Sequence, residues 1–168
     1  MRIYLASSWR NKHHGRLLEA LRHAGHVAYD FKQPRPGERG FAWSEIDPAW
    51  QTWTPSAFAA ALEDPLAAHG YAQDMRALQD AEAVVLLLPC GRSAHLEAGW
   101  AAGKGKPLLV FLPVGEPFEP ELMYRMAAKI VTTTGECLTV LAEIGRGVAR
   151  RQRLAEDVDA VDEEDETR

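Results

Sequence analysis

The chain has little cysteine, no long apolar run and none of the common nucleotide or metal signatures. Cys90 and Cys137 are its only cysteines, too few for a disulfide framework, so a cytoplasmic setting with reduced thiols is expected. No stretch approaches the roughly 20 apolar residues that a membrane-spanning helix needs, so no membrane partner is expected. The first residues, Met1-Arg2-Ile3-Tyr4-Leu5-Ala6, lead straight into a strand and lack a signal-peptide core. No Walker A loop is present, and no G-x-G-x-x-G follows the first strand. The six histidines, His13, His14, His23, His26, His69 and His95, show no H-E-x-x-H or other ligand spacing, so no metal site is expected. Ser93 fails the G-x-S-x-G pattern at His95, and a helix N-cap is its better reading. Cys90 lacks an arginine at phosphatase spacing.

A strong charge of one sign is also missing from most of the chain. The formal net charge is -5 over 168 residues. Glu156 to Arg168 holds eight acids and one arginine, a charge of -7, which leaves +2 for everything before it. Bulk charge therefore gives no reason to expect a nucleic acid polymer as partner. The division expected is one domain over residues 1–153 and a disordered acidic tail over 154–168, since the tail has too few apolar residues to pack.

What is present centres on Ala83 to Leu112, AVVLLLPCGRSAHLEAGWAAGKGKPLLVFL. Ala83 to Leu88 reads as a strand buried on both faces, Ala94 to Gly103 as a helix capped by Ser93, and Leu108 to Leu112 as a second buried strand. This is a βαβ unit, which gives a parallel sheet with a right-handed crossover. Glu97 falls in the first turn of that helix, just past the carboxyl end of a strand, where open α/β sheets bind ligands. It is the leading catalytic candidate. A carboxylate placed there is expected to stay ionised through the helix dipole.

Around this unit, Arg2 to Ala6 reads as a first strand ending in the polar loop Ser7-Ser8-Trp9-Arg10-Asn11. Lys12 to Ala24 reads as an amphipathic helix and His26 to Tyr29 as a short strand. Asp30 to Asp47 is a long loop dense in proline, glycine and charge, with Arg35, Arg39 and Trp43; such loops are functional or mobile, and a lid is one reading. Ala57 to Leu62 and Pro65 to Gln79 read as helices, the second carrying Asp74. Glu116 to Met126 reads as a loop with a short helix, Lys129 to Thr133 as a last strand and Gly135 to Arg153 as a last helix. Four segments should converge at the carboxyl edge of the sheet: Tyr4 to Asn11, the long loop, the helix with Asp74, and Gly91 to Glu97. Two carboxyl groups there suit attack on an anomeric carbon and assistance to a departing group, and tryptophans can stack a planar base.

These segments resemble the nucleoside 2-deoxyribosyltransferase family and its nucleotide N-glycosidase relatives. Ile3-Tyr4-Leu5-Ala6-Ser7-Ser8-Trp9 is similar to the family's first strand and loop, Gln73-Asp74 to its acidic pair, and Ser93 to Ala101 to the stretch ending in Glu-x-Gly-x-Ala. Glu121-Leu122-Met123 resembles an Asn-Leu-Met segment that completes a neighbouring subunit's site in family oligomers. Gly91 stands where the transferases carry an aspartate. The resemblance implies a single flavodoxin-like (Rossmann-like) three-layer α/β domain with a central parallel sheet. It also implies cleavage of the N-glycosidic bond of a nucleoside or nucleoside 5′-monophosphate through a glutamyl glycosyl-enzyme, followed by hydrolysis or transfer to another base. Glu97 would be the nucleophile, Asp74 would assist the base, and Tyr4 would position Glu97. Substrate contacts would come from Ser7, Ser8, Trp9, Asp30, Trp43, Gly91, Arg92, Ser93 and Met123. No cofactor is implied, and a homodimer or larger homo-oligomer is. Two other readings stay open: a Toll/interleukin-receptor-like domain that cleaves NAD, and a non-catalytic nucleotide-binding sensor or adaptor.

Overall fold

The structure is a computed structural model that describes the backbone of residues 1–166 and the side chains of residues 1–150. Five strands form one parallel sheet: β1 (Arg2–Ala6), β2 (Val27–Tyr29), β3 (Ala83–Leu87), β4 (Leu108–Phe111) and β5 (Lys129–Val131), in the order β2-β1-β3-β4-β5. Five α-helices accompany them: α1 (His14–His23), α2 (Pro55–Ala61), α3 (Pro65–Asp80), α4 (Arg92–Gly103) and α5 (Thr134–Glu166). This is the flavodoxin-like three-layer arrangement. Of the acidic tail expected over residues 154–168, the backbone to Glu166 continues α5; its side chains and residues 167–168 lie outside the described residues. No described helix is long and apolar enough to cross a membrane.

The two-faced burial of the strands follows from their pleat, which sends alternate side chains to opposite faces. Ile3, Leu5, Val85, Leu87, Leu109 and Phe111 meet Leu17, Leu18 and Leu21 of α1 and Cys137 and Leu141 of α5. Tyr4, Ala6, Val84, Leu86, Leu108 and Val110 meet Leu78 of α3 and Ala94, Ala98 and Ala101 of α4. The alanines on α4 let that helix lie close to the sheet, so its amino end comes directly above the β3 carboxyl end.

The helix starts have local causes. Thr54 and Asp64 accept the backbone N–H groups of Ala57 and Leu66, and Pro55 and Pro65 follow at the first helical positions. α4 differs from expectation. It begins at Arg92 with Gly91 as N-cap and no side-chain cap, so Ser93 lies inside the helix rather than before it. The consequence is that Glu97 occupies the second turn, not the first.

The segment from Asp30 to Asp47 is folded down as a wall rather than left as an open loop. Gly40 is buried and donates its N–H to Lys32 O at 2.9 Å. A Cβ on Gly40 would lie 1.8 Å from Phe31 O, so only glycine fits. Phe41 lies against Gly70 of α3, where a Cβ would sit 2.6 Å from the Phe41 Cβ. Edge-to-face contacts then run from Phe41 to Trp43 at 4.8 Å, and from Trp43 to Trp53 and Phe58 at 5.6 Å each. Trp53 also donates Nε1–H to Asp47 Oδ2 at 2.6 Å.

Gly70→Ala should push Phe41 off α3. The expected loss is about 1–3 kcal/mol, the usual cost of overpacking a close contact, with a change in tryptophan fluorescence as Trp43 loses its neighbour. Urea unfolding followed by fluorescence checks both, and wild-type stability in the variant would show that the contact is loose.

Candidate functional site

At the switch point of the sheet, where β1 leads outward to β2 and β3 outward to β4, the connecting loops part and leave a crevice. A cleft of about 780 Å³ occupies it. The β1–α1 loop supplies Ser7, Ser8, Trp9, Arg10 and Asn11; the long wall supplies Phe31, Arg39, Phe41 and Trp43; Trp50 follows from the next turn; α3 supplies Asp74; the β3–α4 turn and α4 supply Cys90, Gly91, Arg92, Ser93 and Glu97. The four segments singled out from the sequence therefore border one cavity.

Two loops are tied together at its floor. Asn11 is buried and donates Nδ2–H to Leu87 O at 3.2 Å and Pro89 O at 3.0 Å, and the Ser7 hydroxyl donates to Leu87 O at 3.3 Å. Lys32 Nζ donates to Trp9 O at 3.0 Å and lies 6.0 Å from the Trp9 ring centre. At the amino end of α4 the His95 Nδ1 lies 2.9 Å from Gly91 O, which can only accept, so Nδ1 carries the proton. His95 Nε2 then accepts from the Tyr124 hydroxyl at 3.0 Å, which fastens the 3-10 turn Leu122–Met126 to α4.

The electrostatics are set by burial. Glu97 and Asp74 are the two carboxyl groups on the cleft wall, and both are half-buried. Burial, reinforced by the negative charge of Asp74, pushes the Glu97 carboxyl up to about 7, with Tyr4 opposing the shift. The Tyr4 hydroxyl faces Glu97 and favours its anion, although the pair falls short of full hydrogen-bond geometry. Burial raises Asp74 as well, and the Tyr29 hydroxyl, which donates to Asp74 Oδ1 at 2.8 Å, opposes that rise. The Tyr4 and Tyr29 rings stack at 5.3 Å beneath the pair, and burial holds both phenols in the neutral, proton-donating form. The expectation that the helix dipole keeps Glu97 ionised thus meets an opposing cause: in the second turn of α4, burial and the Asp74 charge raise its carboxyl. Burial also pushes the Cys90 thiol up to about 11, which leaves no thiolate near neutral pH.

Two expected site residues lie elsewhere. Asp30 is buried away from the cleft, where its Oδ1 meets His14 Nε2 at 2.9 Å and the Lys32 N–H at 3.0 Å. That carboxylate pins the start of the long wall rather than facing a ligand. Met123 is 60% exposed on the outer surface and does not border the cleft of its own chain. Ser7, Ser8, Trp9, Trp43, Gly91, Arg92 and Ser93 do border it, and Tyr4 lies behind Glu97. The residues missed from the sequence are Tyr29 and Trp50; Arg39 was noted there in the long loop read as a lid, and it borders the cleft. Tyr29 ended a strand of three residues, with nothing in its surroundings to show that it would reach Asp74, 45 positions away. Among the described residues no cluster of His, Cys, Asp and Glu is placed to hold a metal ion.

The fold and the cleft together define a flavodoxin-like domain with a paired-carboxyl crevice at its switch point. No protein-family model matches the chain, and no curated protein matches it in sequence. Among solved structures it is similar to the 2-deoxyribosyltransferase of the psychrotolerant bacterium Bacillus psychrosaccharolyticus, with 18% identity, 82% of this chain and 90% of that chain covered, and a TM-score of 0.55. It is also similar to a conserved protein of Enterococcus faecalis V583, with 15% identity, coverage of 86% and 96%, and a TM-score of 0.52. The CMP N-glycosidase of Clostridium botulinum aligns with 16% identity, coverage of 84% and 99%, and a TM-score of 0.45. At these identities the first two likenesses establish a shared fold.

The raised Glu97 carboxyl carries a stability consequence. The folded protein holds that proton more tightly than the unfolded chain, so its burial costs nothing below about pH 4.5 and costs most above about pH 7. Glu97→Gln should therefore be more stable than wild type at pH 8, by about 2 kcal/mol, with the difference fading by pH 5. Urea unfolding at both values checks this, and a difference independent of pH would mean that the Glu97 carboxyl is solvated.

Proposed function

We propose that the protein cleaves the N-glycosidic bond of a nucleoside or nucleotide, with Glu97 as nucleophile and Asp74 as the group that assists the departing base. The observation that carries this reading is the two half-buried carboxyl groups, Glu97 and Asp74, on one cleft that five aromatic side chains also line. Two half-buried carboxyl groups on one cleft resist carrying two charges, which favours one carboxylate beside one carboxylic acid. The reaction needs that division: the carboxylate of Glu97 attacks C1′ and forms a glycosyl ester as the bond to the base breaks, and Asp74 in its acid form gives its proton to the base. Water then attacks C1′ and gives the free sugar, or a second base takes its place and gives transfer.

Other groups support the same roles. Tyr4 and Tyr29 each offer a hydroxyl to one of the two carboxyl groups, which separates their environments and lets them act differently. Trp9, Phe31, Phe41, Trp43 and Trp50 line the cleft and suit a planar base. The fold shared with a 2-deoxyribosyltransferase agrees with this reading. Ser7, Ser8 and Ser93 are placed to meet sugar hydroxyls. The Leu122–Met126 turn, with Met123 outward, is free to meet a second copy of the chain, and a homo-oligomer is the assembly this reading favours.

Chromatography of free base released from nucleosides, nucleoside 5′-monophosphates and NAD tests the reading. Release should fall at least about a thousandfold in Glu97→Ala and about 10²–10⁴-fold in Asp74→Asn. The wild-type kcat/KM should be bell-shaped in pH, because the reaction needs the Glu97 carboxylate and the acid form of Asp74 together. Turnover of NAD alone would favour the Toll/interleukin-receptor-like reading. Silence across the panel, with a nucleotide still raising the melting temperature, would favour a sensor.

A further inference from the structure

The cleft is acidic at its inner wall and basic at its mouth. Glu97 and Asp74 supply its carboxyl groups, while Arg10, Arg39 and Arg92 supply three guanidinium groups from three different segments. All three arginines are exposed. Among the described residues none of them forms an ion pair or donates a side-chain hydrogen bond; the ion pairs use Arg2, Lys12, His13, His14 and Arg35 instead. Surface arginines of a nearly neutral domain commonly find a carboxylate, and three without one around a single opening are a concentrated positive field.

The backbone beneath these arginines is held in place. Arg39 precedes Gly40, whose N–H is bonded to Lys32 O and whose Cα has no room for a side chain, and Phe41 anchors the next position on Gly70. Arg10 precedes the buried Asn11, which is bonded to the β3 end. Arg92 opens α4. The backbone that carries each arginine is held and the guanidinium heads are unengaged, which keeps three cations near one opening for an anion. Arginine's planar fork suits a phosphoryl group, which accepts two parallel N–H bonds. A neutral nucleoside would leave all three charges without a partner.

We propose that Arg39, together with Arg10 and Arg92, forms an anion-binding mouth that makes the cleft select nucleosides carrying a phosphoryl group on the 5′ carbon over free nucleosides. Arg39 is the specificity-determining residue, because the wall that carries it is held over the cleft by Gly40 and Phe41. The proposal deepens the glycosidic reading above and rests on it for the position of the sugar.

The test measures base release by the full chain from matched pairs of nucleoside and 5′-monophosphate, with NAD and a nucleoside diphosphate alongside. Wild type should favour the monophosphate at least about tenfold in kcat/KM, and that preference should shrink as salt rises. Arg39→Ala should lower the preference about tenfold, mainly through KM; Arg39→Lys should recover part of it. Arg35→Ala, at a paired residue outside the cleft, should leave the preference as in wild type. A monophosphate preference identifies a mononucleotide as the source of the phosphoryl group, and an Arg39-dependent turnover of NAD identifies a dinucleotide. Equal use of nucleoside and monophosphate, or an unchanged preference in Arg39→Ala, overturns the proposal. A separate readout uses Glu97→Gln, where monophosphate should raise the melting temperature more than nucleoside does and Arg39→Ala should erase the difference. If that holds while no substrate is cleaved by wild type, the glycosidic reading fails and the anion-binding mouth stands.

Discussion

Two carboxyl groups that cannot both be comfortably charged lie at the centre of this molecule. Glu97 comes from α4 and Asp74 from α3, and both are drawn out of water by the layer that also buries Tyr4. A folded chain that only needed stability would avoid such a pair, since each charge loses hydration and each repels the other. Its presence is offset elsewhere: by the Tyr29 hydroxyl on Asp74, by the Tyr4 hydroxyl facing Glu97, and by the apolar cores on either side of the sheet. Strain of this kind gathers at sites that do chemistry, because a group poised to exchange a proton near neutral pH is useful there.

The rest of the architecture serves that placement. Parallel strands aim their carboxyl ends the same way, and the order β2-β1-β3-β4-β5 parts the loops between β1 and β3. Small residues on α4 bring its amino end down over β3, so Glu97 in the second turn points into the gap instead of away from it. Asn11 then welds the β1 loop to the end of β3, and His95 with Tyr124 braces the other side. The long wall closes the third side. Its aromatic chain from Phe41 through Trp43 to Phe58 is a small core of its own, built on the flat surface that Gly70 leaves on α3.

The cleft therefore has three kinds of lining, each from a different origin. The acids come from helices packed on the sheet, the aromatics from the wall and the β1 loop, and the arginines from the rims of three segments. On the function proposed above, a ligand that satisfied all three would have a planar ring, a sugar and a negative end, and the charge of the cleft would weigh in the choice between related ligands.

Much of this was legible in the sequence, for a physical reason. A strand buried on both faces must be apolar throughout, so Ala83 to Leu87 and Leu108 to Phe111 announce themselves; proline and a capping Thr or Asp mark the starts of α2 and α3. Local rules are written locally, and the candidate acids Glu97 and Asp74 could be picked out by their place against those elements. The rest depends on neighbours distant along the chain. Asp30 looked like a pocket residue until His14 and the Lys32 N–H took its carboxylate. Tyr29 reaches Asp74, and Arg39 the cleft, only because the sheet and the folded wall carry them there. The dipole argument for Glu97 is local, and the burial that opposes it is reported by no stretch of residues. The sequence by itself determined the alternation of strands and helices and the supply of reactive groups; only the tertiary structure decided which groups meet, how dry their meeting place is and hence where the proton sits, because desolvation is a property of the whole surrounding fold.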